Sequence, residues 1–175
     1  AKLVVSSADP KTTFKSLLGY QHMEAGLVRR IEQIRFKSGT VKVHLALSGL
    51  PTFAGLDQSA LGQRLVIAPS LNALESAFNP LKYDESSARP VMDISIPSIN
   101  DPSLAPNGQH VLSAIVQYAP LNPKGGWEAL RAPFMAAVIS ELTRYAPDIA
   151  SLITAEELLT PADLAATFGM TGGNW

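Results

Sequence analysis

The sequence predicts an α+β domain in which a mixed, largely antiparallel sheet is covered by helices. Five segments have the apolar alternation or short apolar runs of strands, and longer segments repeat apolar residues at helical spacing. The two kinds of segment are interleaved along the chain, which is typical of helices laid on a sheet. With 175 residues, 46% of them hydrophobic and 17% charged, the chain can bury one substantial core.

The sequence pattern of residues 3–47 predicts two helices and two strands. The apolar residues 3–5 indicate a short buried strand, and Asp9 followed by proline is typical of a helix N-cap. We therefore expect a helix over 10–18 and a second helix, with one apolar face, over 23–34. The stretch VKVHLAL at 41–47 alternates apolar and polar residues, which predicts a strand with one buried face.

The middle of the chain predicts three more strands around one helix. The strand candidates are RLVIA at 64–68, VMDISIP at 91–97 and HVLSAIVQYA at 110–119, each bounded by Pro, Gly or Asn. Apolar residues at helical spacing predict a helix over 69–78. The proline-rich stretch at 97–108 is expected to form an ordered loop between strands.

The last part of the chain predicts helices. Residues 126–145 form the longest helical pattern, and Pro133 inside it is expected to kink or divide the helix. The stretch TAEE from Thr154 matches a helix capping box. A threonine–proline pair at 160–161 predicts a short final helix that Gly169 can close.

The composition and charge of the chain argue against nucleic-acid and membrane partners. The formal net charge is −1 and no basic cluster is longer than the Arg29–Arg30 pair, so we expect no nucleic-acid partner. No window approaches the roughly 20 apolar residues of a membrane-spanning helix. The sequence has no cysteine, which excludes thiolate metal sites and a thiol nucleophile and fits a reducing compartment. The cytoplasm is therefore the expected location.

Familiar catalytic motifs are missing from the printed sequence. His22, His44 and His110 do not have the spacing of metal ligands, so we expect no metal site. There is no G-x-S-x-G nucleophile elbow, and the glycine pairs at 125–126 and 172–173 lack the frame of a phosphate-binding loop. The chain by itself is not expected to hold a dinucleotide in the familiar way.

Two polar residues have alternative interpretations. Arg131 falls inside the apolar arc of the helix at 126–145, where it could face a substrate cavity. It could instead lie over Trp127 as a cation–π pair or extend to solvent near Pro133, and the structural alternatives are favoured. Asp93 could act as a base, but its alternation with apolar neighbours favours the polar face of a strand.

Three stretches of the sequence resemble one enzyme family. These are VVSSADP at the start, IPSINDPSLAPNGQHVLSAIVQYAP in the middle and ELLTPADLAATFGMTGGNW at the end. Together they resemble the phytoene dehydrogenase-related, FAD-dependent oxidoreductases of the flavin amine-oxidase superfamily. The similar branch contains the pyridine nucleotide-disulphide oxidoreductase-domain relatives rather than the carotenoid desaturases proper.

The resemblance implies a division of the chain into three parts. Residues 1–9 correspond to the remnant of a strand of the FAD-binding domain, 10–168 to the substrate-binding domain, and 169–175 to the start of a segment returning to the FAD-binding domain. The chain is then an interior stretch of a longer enzyme, with the glycine-rich dinucleotide fold supplied by other parts of the polypeptide. We expect this portion alone to be inactive and not to retain FAD.

The resemblance also implies candidate cofactor-binding residues at both ends of the chain. Family members typically have Asn at the position of Ser7, so a side-chain role there is doubtful, and Asp9 is also explained as an N-cap. Glycines in the final segment permit a close backbone approach to the flavin or substrate. The candidates are Ser6, Ser7, Ala8, Asp9, Gly172, Gly173 and Asn174.

Two functions remain open at this point. The chain is either the substrate-binding portion of an FAD-dependent oxidoreductase acting on an apolar or amine-like small molecule, or a stand-alone, non-enzymatic ligand-binding or assembly module derived from such a domain. Under the first hypothesis, surfaces around 3–5 and 170–175 pack on the FAD-binding domain. Exposed apolar surfaces of this kind tend to be covered by partners, so we expect the isolated chain to self-associate.

Overall fold

The computed structural model describes residues 2–36 and 39–173. A π-helical segment, Thr12–Leu18, precedes the regular helices and strands. In chain order these are α1 Ala25–Glu32, β1 Gly39–Leu47, β2 Leu65–Ile67, α2 Leu71–Phe78, β3 Val91–Ser95, β4 His110–Ala119, α3 Gly126–Tyr145, α4 Ile149–Leu152, β5 Ile153–Leu159 and α5 Pro161–Phe168.

The five strands form one sheet in the order β2-β3-β4-β1-β5. Within the described residues every strand pairing is antiparallel, and β1 pairs with β4 on one side and β5 on the other. Val43, for example, lies opposite Ala114 and Leu158. The predicted α+β class is confirmed, and four of the five predicted strands are present, as β1 to β4.

The core lies between one face of the sheet and α3. Alternate side chains of β1 are completely buried there, because a strand places every second side chain on the same face. They join Phe134, Val138 and Leu142 of α3 in one hydrophobic cluster. Trp127 packs edge-on against Phe134, with ring centroids 5.8 Å apart, and its indole N–H donates to the carbonyl of Leu121. The buried side chains on β1 are Val41, Val43, Leu45 and Leu47.

The long helix α3 is not divided by its proline. It runs from Gly126 to Tyr145 with Pro133 inside it. Proline removes one backbone hydrogen bond, but the next two residues, Phe134 and Met135, are both buried in the core. Burial on that face compensates for the missing bond and keeps one helix.

Two local expectations were wrong. Residues 3–5 form no strand, and their side chains are largely exposed, because no described strand lies beside them. The expected helix cap at Thr154 lies inside β5. The free edge of β1 pairs with 153–159, and this tertiary pairing overrides the local capping pattern.

Other local expectations are confirmed. The helix expected over 23–34 forms as α1, and the segment expected over 10–18 is helical, with π geometry from Thr12. Thr160 caps α5 in a capping box with Asp163, and Gly169 closes the helix with φ of 66°. The final helix therefore begins and ends where its sequence signals predict.

Candidate functional site

The candidate site begins at the turn before the π-helical segment. Asp9 accepts hydrogen bonds through Oδ1 from the backbone N–H groups of Lys11 (2.8 Å) and Thr12 (3.1 Å). Its Oδ2 accepts from the hydroxyl of Thr12 at 2.6 Å. Asp9 therefore caps the start of this helical segment, as its place before a proline predicts.

The other end of the chain reaches the same carboxylate. Beyond α5 and Gly169, residues Thr171–Gly173 form a short helical turn. The hydroxyl of Thr171 donates to Asp9 Oδ2 at 2.6 Å, across 162 positions of sequence. The two segments that the sequence nominates for cofactor binding are thus brought together in space.

An open cleft of about 480 Å³ lies where these segments meet, and we call it the terminal cleft. Its lining combines apolar side chains with a few polar groups, as small-molecule sites do. Its lining residues are Ser7, Ala8, Asp9, Thr12, Phe36, Phe168, Gly169, Met170 and Thr171.

Hydrogen bonds stabilise the ionised carboxylate of Asp9 in the wall of the terminal cleft. Partial burial raises the pKa of Asp9, but hydrogen bonds from Thr12, Thr171 and the backbone outweigh it and hold the pKa below its ordinary value. Beside the carboxylate, the Lys11 ammonium lies 5.5 Å from the centre of the Phe36 ring, within cation–π range. At neutral pH the cleft therefore has an ionised Asp9 in its wall.

The remaining N-terminal candidates are exposed. Ser7 and Ala8 line the terminal cleft. Ser6 turns to a neighbouring groove, where its hydroxyl is 2.7 Å from that of Thr13. Thr13 in turn donates to the carbonyl of Ala8. The serine hydroxyl therefore helps to shape the backbone that leads to Asp9.

The C-terminal glycines make close approaches to protein backbone. A Cβ atom on Gly172 would lie 2.8 Å from the carbonyl oxygen of Phe36, and one on Gly173 would overlap the carbonyl group of Pro161. Both residues also have positive φ, which glycine adopts without strain. These contacts explain the two glycines through packing, and their contact with a cofactor stays a prediction. Asn174 lies outside the described residues.

Arg131 has two protein partners. Its guanidinium donates to the carbonyl of Leu158 and to Asp163 Oδ2 at 2.9 Å. Partial burial raises the pKa of Asp163, but hydrogen bonds from Thr160 and Arg131 lower it more. Arg131 therefore links α3 to the end of β5 and to the first turn of α5, and its contact with a substrate stays a prediction.

The sheet face opposite the core forms a second candidate surface. Lys42 and His44 of β1 lie there with Ser113 and Ile115 of β4, and all four are half-buried. Burial lowers the pKa of His44, and the positive charge of Lys42 acts in the same direction, while Glu157 opposes them. Burial also lowers the pKa of Lys42. These side chains lie on the sheet face that points away from the hydrophobic core.

Asp93 lies on this same opposite face of the sheet. Its carboxylate pairs with Arg64 Nε at 3.1 Å, as a polar residue on a strand face can. Within residues 2–36 and 39–173, no group of three or more His, Asp or Glu side chains could hold a metal ion. No helix in those ranges is long and apolar enough to cross a membrane.

Six of the nine residues that line the terminal cleft are not among the predicted candidates, and the predicted Gly172 and Gly173 are not among its lining residues. The six are Thr12, Phe36, Phe168, Gly169, Met170 and Thr171. Thr12, Thr171 and Phe36 complete its polar contacts and one apolar wall. A threonine three positions after Asp9 is visible as a capping partner. Thr171 and Phe36 have no local signal, because their role depends on contacts between distant segments.

Comparison with known proteins relates the chain to oxidoreductase-domain proteins. It is 33% identical, over an alignment of 187 positions, to pyridine nucleotide-disulfide oxidoreductase domain-containing protein 2 of Rattus norvegicus, and 32% identical over 185 positions to the Mus musculus protein of the same name. Each alignment covers 99% of this chain and 32% of the relative, so the chain spans about a third of their length. No protein-family profile matches the chain.

Proposed function

We propose that the chain is the substrate-binding portion of an FAD-dependent oxidoreductase of the phytoene dehydrogenase-related type. Its terminal cleft contacts the flavin, and the substrate is an apolar or amine-like small molecule. The oxidoreductase-domain names of its relatives support this proposal. The observation that carries it is that the predicted cofactor residues Ser7, Ala8 and Asp9 line one cleft with Thr171, the residue directly before the predicted Gly172 and 162 positions from Asp9.

The lining of the terminal cleft fits the ring system of a flavin better than its pyrophosphate. Phe36, Phe168 and Met170 offer apolar surface for a planar ring. None of the nine lining residues is Lys or Arg, and the ionised Asp9 disfavours a phosphate anion beside it. The nearby Lys11 ammonium lies over the Phe36 ring, 5.5 Å from its centre. The pyrophosphate is therefore held by a part of the enzyme other than this cleft.

Within this proposal the chain's own residues bind and orient. A bound flavin supplies the redox chemistry by accepting hydride from the substrate. The backbone at Ser7 offers hydrogen-bonding groups to the ring, whereas the N–H and carbonyl of Ala8 already bond to Ser6 and Thr13.

The first experiment reads the gene on both sides of the 175 residues and expresses the complete reading frame. We expect a glycine-rich dinucleotide fingerprint upstream and a purified protein with flavin absorbance, while the 175-residue chain alone is colourless. Stoichiometric FAD on the 175-residue chain would show that the cofactor pocket does not depend on other parts. A reading frame restricted to these residues, without flavin, would favour a non-enzymatic binding or assembly module.

A matched pair of variants then tests the terminal cleft itself. Phe168→Asp places a charge in the cleft wall, and Leu71→Asp places the same charge on exposed α2, away from the cleft. We expect the first variant to weaken flavin binding in the complete protein and the second to leave it unchanged. Equal flavin affinity in both variants would contradict contact between this cleft and the cofactor.

A further inference from the structure

Three side chains join the two walls of the terminal cleft, and we call them the clasp. They are Asp9, Thr12 and Thr171. Both threonine hydroxyls lie 2.6 Å from Asp9 Oδ2, and the two hydroxyl oxygens lie 3.4 Å apart. A single carboxylate oxygen thus receives one donor from each end of the chain.

Helix capping does not account for the whole arrangement. Oδ1 of Asp9 already accepts from the two backbone N–H groups that an N-cap serves. Oδ2 is left for hydroxyl donors, and one of them, on Thr171, belongs to a different segment. The helix cap uses Oδ1 of Asp9, whereas the contact with the Thr171 segment uses Oδ2.

The wall that Thr171 anchors is rich in glycine. Gly169, Gly172 and Gly173 all have positive φ, so three of the five residues at 169–173 are glycines in a conformation other residues avoid. Glycine loses more conformational freedom than other residues when it is ordered. A charge-assisted hydrogen bond in the middle of this segment therefore has a large effect on its position.

We propose that the clasp positions the Thr171–Gly173 turn against the backbone at 6–9 and thereby sets the affinity of the terminal cleft for the flavin. This inference rests on the proposed function. Asp9 and Thr171 are positioning residues, because they act through the backbone of the two walls. Loss of the Thr171 hydroxyl separates the walls and leaves the apolar lining side chains unchanged.

The test replaces the hydroxyl while preserving the shape of the side chain. Thr171→Val removes the donor, and Thr171→Ser restores it. Thr154→Val is the matched control, since its hydroxyl also bonds to another segment, at Ala46, but lies on β5. Amide hydrogen exchange of peptides covering 6–13 and 168–173 in the 175-residue chain reports the clasp without any cofactor.

The same variants of the complete protein are titrated with FAD, and binding is followed by flavin fluorescence. We expect faster exchange in both segments and a dissociation constant raised roughly tenfold in Thr171→Val, the effect of one charge-assisted hydrogen bond. Thr171→Ser should restore both measurements, and Thr154→Val should change neither.

The outcomes separate this inference from the proposed function. If the wild-type protein binds flavin and Thr171→Val binds it equally well, the clasp does not set affinity and the inference is wrong, while the proposed function stands. If the complete wild-type protein binds no flavin, the proposed function fails and the inference fails with it. Unchanged hydrogen exchange at 6–13 in Thr171→Val would show that the two walls are not coupled through this bond.

Discussion

Replacement of Arg131 by methionine separates its structural role from a role in substrate binding. Methionine keeps most of the apolar stem of the side chain but removes the guanidinium. The change deletes the contacts with the Leu158 carbonyl and with Asp163. Asp163 keeps its hydrogen bonds from the backbone N–H and hydroxyl of Thr160, so no carboxylate is left without a partner.

The magnitude follows from how exposed this pair is. The side chains of Arg131 and Asp163 are 45% and 34% exposed, so solvent replaces much of the lost ion pair and its contribution is below about 1 kcal/mol. The bond to the Leu158 carbonyl contributes about 1 kcal/mol more. We expect a loss of roughly 1–2 kcal/mol in the free energy of unfolding, and a Tm lowered by roughly 3–6 °C for a chain of this length.

Thermal unfolding followed by circular dichroism measures this difference, with Arg30→Met as the matched control. Arg30 is exposed on α1, and its replacement should change the free energy of unfolding by less than about 0.5 kcal/mol. A double-mutant cycle with Asp163→Asn should give a favourable coupling energy. If Arg131→Met has the Tm of Arg30→Met but abolishes turnover in the complete protein, the structural reasoning is refuted and the substrate-cavity hypothesis gains support.

The other predictions concern the two ends of the chain. Gly169 and Gly173 both have positive φ, but of the two only Gly173 has backbone within reach of an added Cβ. Gly173→Ala should therefore increase hydrogen exchange at 168–173 clearly more than Gly169→Ala does. Equal effects of the two substitutions would contradict the packing explanation. Leu17 is 69% exposed and lines a groove with Val4, so light scattering should detect self-association of the chain. Leu17→Glu should reduce that self-association. A wild-type chain that stays monomeric at high concentration would contradict the prediction. The folded-state pKa of Asp9 is lowered, so its contribution to the free energy of unfolding should be complete above the unfolded-state pKa. That contribution should be lost as pH falls through the folded-state pKa. The free energies of unfolding of wild type and Asp9→Ala, measured as the pH is lowered, should therefore converge there.

The elements predicted best are those whose local pattern agrees with their tertiary contacts. In β4, the predicted range 110–119 is the observed one, and the predicted range of α3 is also observed. Both elements bury the face that their apolar period marks. Thr160 and Gly169 gave correct ends for α5 because caps satisfy the backbone locally.

The missed strand β5 shows the opposite case. Its central residues, TAEE, are largely exposed, so they lack the alternation that identifies a strand. They are extended because their backbone pairs with β1, and that partner is more than a hundred positions away. The same distance hides the bond from Thr171 to Asp9, which joins residues 162 positions apart.

The contacts of α5 change how substitutions in this region should be interpreted. At its first turn, Asp163 connects the helix to Arg131 of α3, the helix that packs on the core. Beyond its last turn, Thr171 connects the following segment to Asp9. The wall of the terminal cleft is therefore held at one end by the core and at the other by the clasp. A substitution at Arg131 can shift that wall without removing any ligand contact, so weaker flavin binding in such a variant is not evidence that the arginine touches the flavin. One observation distinguishes a shifted cleft wall from direct contact with the flavin. It is the recovery of flavin affinity when a second substitution restores only the missing hydrogen bond.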